Sequence, residues 1–230
     1  MALILNIETA TQVCSVGLAD GENILSIRES HEKNIHAAKV TVFSEEVLLE
    51  AGKKMEDLDA IAVSMGPGSY TGLRIGVSAA KGFCYALDIP LIAIPTLQSM
   101  ALGALLNTND TNALYCPMID ARRMEVYTAL FDPQNVEVRK TDALIIDETS
   151  FDEELKSNTI YFFGDGADKC KEVLTPKGMR FIDQVHPSTR SMAALSSMRF
   201  NGGQFEDLAY FEPYYLKDFI AGKPKVKGLE

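Results

Sequence analysis

One order of elements, met twice along the 230 residues, constrains this chain more than any other feature. Residues 3–8 form an apolar run, residues 13–19 alternate, and Asp20-Gly21 is a hairpin turn into a third strand at 23–29. A helix over 34–51, closed by Gly52, leads to a short buried strand at 60–64. After the polar break at 107–112 the order restarts: strands at 114–119, 125–131 and 136–140, a helix at 150–156, a strand at 160–163. Each copy places an acid at the end of its first strand, Glu8 in one and Asp120 in the other. The halves share almost no identity, so the repeat is one of pattern, and two unrelated meanders are the competing explanation.

Between the copies lie a glycine turn at 66–72, a helix running to about Leu87, a strand at 91–94 and a helix at 97–106. This gives a first half over 1–106 and a second over 107–216, whose last helix is expected to pack back on the first. A tail over 217–230, with Lys217, Lys223, Lys225 and Lys227, is expected to be flexible, contact with RNA being its other reading. Two such halves facing a cleft are the plan of the actin, sugar kinase and Hsp70 ATPase folds. The expected class is α/β, an actin-like (ribonuclease H-like) fold with two βββαβ-type halves.

Composition narrows the function. With 47% hydrophobic residues the chain has enough for a core without staples. A net charge of −10 makes it a poor nucleic-acid binder alone, because phosphate neutralisation needs clustered cations. Cys14, Cys84, Cys116 and Cys170 are far apart and read as buried free thiols rather than a zinc site. The first residues lack the basic region of a signal peptide, and the longest uncharged run is broken by Pro90 and Pro95. The cytoplasm is the expected location, with no membrane partner.

The most specific stretch is Gly66-Pro67-Gly68-Ser69-Tyr70-Thr71-Gly72-Leu73-Arg74-Ile75-Gly76. A strand-to-helix turn of this kind presents backbone N–H groups to an anion, or serves simply as a tight turn; the sequence leaves both open. It is neither a Walker A loop nor G-x-G-x-x-G. On the phosphate reading, Glu8, Thr9, Gly66, Gly68, Ser69, Asp120 and Arg122 face the ligand.

These residues resemble the GPGSFTGLRIG signature of the TsaB/YeaZ family. The opening Ile7-Glu8-Thr9-Ala10-Thr11 with Cys14-Ser15-Val16 resembles its IDTAT..CSVAL, with Glu8 where aspartate is usual. Asp120-Ala121-Arg122-Arg123-Met124-Glu125-Val126-Tyr127 resembles its DARR.EVY, and Pro213-Tyr214-Tyr215-Leu216 its P-x-Y-L. The resemblance implies a non-catalytic scaffold for TsaD, the subunit that threonylcarbamoylates adenosine 37 of tRNAs reading ANN codons. It also implies the ATPase TsaE as a partner, a homodimer in isolation, and tRNA contact only through the complex. No cofactor is required by this chain, and ATP or ADP belongs at a complex interface.

The relative TsaD follows its turn with an H-x-x-x-H metal motif, in which i and i+4 side chains share one helix face. Here Thr96 and Met100 stand at those places, and neither suits such a metal. Were His31 and His36 both helical, they would lie about 140° apart. No metal site and no catalytic set are expected, and the histidines read as ordinary surface or hydrogen-bonded groups.

The two long helices carry more apolar surface than one core contact needs. In the first, Ile35, Ala38, Val42 and Leu49 make one stripe, and Val40, Phe43, Val47 and Ala51 another about 160° away. In the second, Leu73, Val77, Ala80, Cys84 and Leu87 make a core stripe, and Ile75, Ala79, Gly82 and Ala86 a second of mostly small side chains. Either both stripes are internal, or one waits for a partner. The resemblance favours a partner surface of Val40, Phe43, Val47, Ile75, Ala79, Gly82 and Ala86. The alternatives are a small-molecule kinase of the same fold, or a metallopeptidase.

Overall fold

The computed structural model describes residues 1–108, 110–175 and 177–217. Two five-stranded sheets carry the chain. The first contains β1 (Leu3–Glu8), β2 (Cys14–Asp20), β3 (Asn23–Ser30), β4 (Ala60–Gly66) and β5 (Leu91–Pro95), in the order β3-β2-β1-β4-β5. The second contains β6 (Ala113–Asp120), β7 (Glu125–Phe131), β8 (Glu137–Ile145), β9 (Thr159–Phe163) and β10 (Met179–Ile182), in the order β10-β9-β6-β7-β8. Read from the meander side, the two orders are the same. In each, the first three strands are antiparallel and the last two join parallel to the first. The repeated pattern is therefore a repeated topology, the actin-like plan.

β1 is central and every residue of it is buried, as a strand covered on both faces must be. Leu3, Leu5 and Ile7 pack outward against α1 (His36–Glu50) and α2 (Tyr70–Leu87), with Val40, Phe43, Val47, Val77 and Ala80. Ile4 points the other way, among Ile92, Ile94, Met192 and Leu195. Met192 and Leu195 belong to α5 (Thr189–Asn201), which follows β10 yet packs on the first sheet. The reverse holds for α3 (Thr96–Thr108). It follows β5, but its Leu97, Met100, Ala101 and Ala104 pack with Tyr115, Ile119, Phe131 and Phe163 of the second sheet. The two helices thus exchange sheets and lie between them. A bond of 3.1 Å joins the Ser99 and Ser191 hydroxyls where they meet, and a Cβ on Gly103 would lie 3.3 Å from the Ser191 Cβ.

The outer face of the second sheet is covered more thinly. Its helix after β8 is the single turn α4 (Asp152–Leu155), and the place of α2 is taken by the 3-10 turn Asp168–Cys170. Phe151, Phe162, Cys170 and Leu174 fill the core there.

Several expectations shift. The first helix starts at His36 rather than Asn34, whose φ of 62° is left-handed. The expected strand at 136–140 extends to Ile145, the expected helix at 150–156 shrinks to four residues, and β10 is found beyond it. All four cysteines are free, as read from the sequence, and all four are buried, Cys14 and Cys116 included. Of the expected flexible tail, residues 218–230 lie outside the described residues. Among the described residues no helix is long and apolar enough to cross a membrane.

Candidate functional site

The glycine turn ends β4 and starts α2. It opens on a cis Gly66-Pro67 bond, and Ser69 caps α2 by accepting the Gly72 amide at 3.3 Å. The turn is pressed onto the end of β1. A Cβ on Gly68 would stand 2.3 Å from the Ala10 carbonyl oxygen, and one on Gly72 2.2 Å from that of Thr9. One on Gly76 would meet the Thr9 hydroxyl at 2.2 Å. Those distances are far inside van der Waals contact, so the glycines are needed for close approach. The Ser69 amide is taken as well, donating to the Ala10 carbonyl at 2.6 Å. The turn therefore acts first as a seal over the strand end.

That seal decides which expected site residues meet solvent. Glu8, Thr9 and Gly66 are buried and do not line the cleft between the halves, which corrects their assignment as phosphate-facing. The Glu8 carboxylate accepts the Ala10 amide at 2.6 Å, while its second oxygen has no hydrogen-bond partner among the described residues. Burial pushes its pKa up to about 7, against the opposing pull of the Ala10 amide, the Ser64 hydroxyl and the Thr9 amide. The missing signal was three-dimensional, because an acid ending a strand reads the same whether a turn closes over it or not.

Gly68, Ser69, Asp120 and Arg122 do come together, in that cleft of about 860 Å³. One wall is 10–12 with the turn at 68–72; the other is Ile119, Asp120, Ala121, Arg122, Tyr127 and Asp165. Residues 214–217 form a third. Asp120 accepts the Arg122 amide at 3.0 Å and is ion-paired with Lys169. Asp165 accepts the Asp120 amide at 3.0 Å, and desolvation raises its pKa. Arg122 and Arg123 both have left-handed φ, 73° and 51°, in the hairpin between β6 and β7, and both are exposed. Two adjacent non-glycine residues there are uncommon.

Of the histidines, His36 is buried with its ring 3.2 Å from the Val13 carbonyl. His31 lies 3.6 Å from Glu29 and packs edge-on against His186. Thr96 and Met100 are both buried within α3.

Beside the cleft a groove of about 460 Å³ runs between α1 and α2. Ile75 and Ala79 line it, half-buried, and Gly82 and Ala86 continue α2 outward, exposed. On α1 the expected surface is corrected. Val40 is 1% exposed at the groove floor, while Phe43 and Val47 are buried in the core of the first sheet. The outward apolar residues of α1 are instead Ala38, Val42 and Leu49, the last 80% exposed. With apolar stripes on opposite sides, periodicity cannot say which faces the sheet. Local polar contacts settle it: Ser26 of β3 donates to the Val47 carbonyl at 2.6 Å, placing that side inward. Ala37, Tyr70, Thr71 and Ile75 line both groove and cleft.

Paired sheets of one topology, a cleft between them and a glycine turn at its edge define a protein of the actin-like ATPase fold. A family model described as TsaD, tRNA N6-adenosine threonylcarbamoyltransferase, matches residues 24–211. The chain belongs to that family. It is 29% identical to the tRNA threonylcarbamoyladenosine biosynthesis protein TsaB of Escherichia coli (strain K12), over 99% of both chains. The protein of the same description from Haemophilus influenzae is 27% identical over 99% of this chain and 98% of its own. A Pseudomonas aeruginosa crystal structure, described as similar to peptidase YEAZ, superposes with a TM-score of 0.84 at 23% identity. It covers 94% of this chain and 100% of that one, a likeness of fold. The resemblance to TsaB/YeaZ proteins thus runs the length of the chain.

Proposed function

We infer that this protein is a non-catalytic accessory subunit in the biosynthesis of threonylcarbamoyladenosine on tRNA. In this reading it docks on a TsaD-type catalytic subunit that modifies adenosine 37 of tRNAs reading ANN codons. The ATPase TsaE joins the assembly, tRNA is met only through the complex, and the free protein pairs with a second copy. A nucleotide, ATP or ADP, belongs at the interface of the assembled complex rather than to this chain alone. The setting is the cytoplasm.

The observation that carries the reading is the groove between α1 and α2. Its α2 wall of Ile75 and Ala79, continued by Gly82 and Ala86, offers small side chains on which another helix can seat closely. Full-length similarity to TsaB of Escherichia coli supports the choice of partner. The burial of Glu8 behind the turn, and the occupied amide of Ser69, favour a subunit over a phosphoryl-transfer enzyme.

The test is complementation of a bacterial strain depleted of its TsaB, with the modified nucleoside measured by mass spectrometry. Restored modification by the wild-type chain, lost with Ile75→Glu, supports the reading. Failure of the wild-type chain with its cognate TsaD supplied removes it.

A further inference from the structure

The last described residues run across both halves of the molecule. The Glu206 amide donates to the Leu91 carbonyl at 2.9 Å, extending the edge of the first sheet at β5. Lys81 of α2 then donates to the carbonyls of Ala209 and Phe211, at 3.3 and 3.1 Å, and the Phe211 ring enters the core beneath. The Tyr214 amide donates to the Met65 carbonyl at 2.7 Å, just before the glycine turn. A Cβ on Gly66 would lie 2.7 Å from the Tyr214 carbonyl oxygen, so the strap lies flat against the turn. The Tyr215 ring packs at 5.0 Å from that of Tyr70. Beyond this the chain leaves the first half. Lys217 is ion-paired with Glu125 of β7, on the far side of the cleft.

We propose that residues 214–217 are a clasp that holds the two halves together across the cleft, and that its grip is set at Tyr70. The assignment needs no partner and does not depend on the proposed accessory role. Three contacts of different kinds act in series: a backbone hydrogen bond on Met65, a ring contact on Tyr70, and the charge pair to Glu125. Each is weak alone, the exposed ion pair most of all. A clasp built this way opens by fraying from its Lys217 end. Tyr70 is a wall of both the cleft and the groove, and Arg74 donates to its hydroxyl at 3.0 Å. Whatever seats in the groove therefore presses on the residue that holds the strap.

The full-length protein tests this without a ligand. The native cysteines are buried, so a pair of spin labels on Ala38→Cys and Glu148→Cys, exposed residues of opposite halves, reports the separation within one copy when labelled protein is diluted into unlabelled protein. Hydrogen exchange at the Tyr214 amide reports the strap. Lys217→Glu and Tyr215→Ala should each speed that exchange about threefold to tenfold and broaden the label distances. The exchange of charges, Lys217→Glu with Glu125→Lys, should restore both readouts. Tyr70→Ala should act as Tyr215→Ala does, and the two together no worse than either. Unchanged distances in the single variants, a charge exchange that restores nothing, or additive Tyr70 and Tyr215 effects would each overturn the proposal.

Discussion

Glu8 and Asp120 end the first strands of their respective sheets, at the same topological point, and they live in opposite worlds. Asp120 is exposed, hydrogen-bonded to its own hairpin and paired with Lys169. Glu8 is fully buried, with its pKa pushed up to about 7. The difference comes from the elements that succeed the parallel strand beside each acid. In the first half β4 ends in the glycine turn and α2, which close over β1. In the second half β9 leads to only a 3-10 turn, and the acid stays in the cleft. The sheets had to be alike for the halves to face each other, but the elements outside them were free to diverge. One half carries long helices and a groove, and the other only what its core requires.

The largest test of that contrast sets two residues of the first half against each other. Val47→Glu buries a charge in the sheet core and should cost more than about 4 kcal/mol, enough to leave no folded protein in thermal melts. Ile75→Glu, on the groove, should change stability by less than about 1 kcal/mol while abolishing capture of a TsaD-type subunit in a pull-down. Captured subunit from the second variant would remove the groove as the docking surface.

Next is the second half, where Phe151 belongs to a core that no long helix among the described residues covers. Phe151→Ala should cost about 3–5 kcal/mol by chemical denaturation, whereas Tyr85→Ala on exposed α2 should cost nearly nothing. Equal effects would mean that the exposed face of α2 matters as much to stability as the core of the second half.

Glu8 and Asp120 supply a third test, read against pH. The ordinary value for a glutamate is 4.5, so between there and about 7 the unfolded chain gives up the proton that native Glu8 retains. Native stability therefore falls across this window and levels off above it. Glu8→Gln cannot ionise, so relative to wild type it should gain as pH rises, reaching about 3 kcal/mol at pH 8 and nearly nothing at pH 4. Asp120→Asn should stay within about 0.5 kcal/mol throughout. A pH-independent difference for Glu8→Gln would show that the carboxylate is solvated after all. The smallest effect is expected from Leu49→Ser, 80% exposed on α1, within about 0.5 kcal/mol in the same melts.

Much of the fold was legible in the sequence where one element answers to one face. β1 and β7 fall on the expected residues, because an apolar run between turns has one reading. The core stripe of α2 is Leu73, Val77, Ala80 and Cys84, as its spacing implies. Legibility failed at α1 and α5, each of which touches two things. α1 is apolar on opposite sides, and its inward face reads as the outward one. α5 has no bounds in the sequence, because a helix held between two sheets shows no amphipathic period; its Ser191, Ser196 and Ser197 are all buried. Of the site, the glycine turn and the Asp120–Arg122 hairpin were visible as motifs. The burial of Glu8 was not, since it arises from a contact between residues more than fifty positions apart.

The exchange of α3 and α5 between sheets has a consequence for how the molecule comes into being. Synthesis delivers the first sheet complete with its outer helices, but the helix that shields its inner side is made nearly a hundred residues after β5. Until the ribosome has released that stretch, Ile4, Ile92 and Ile94 have no lid of their own. Neither half, cut free at the polar break, would carry its own inner cover, so dissection there should give two sticky fragments rather than two domains.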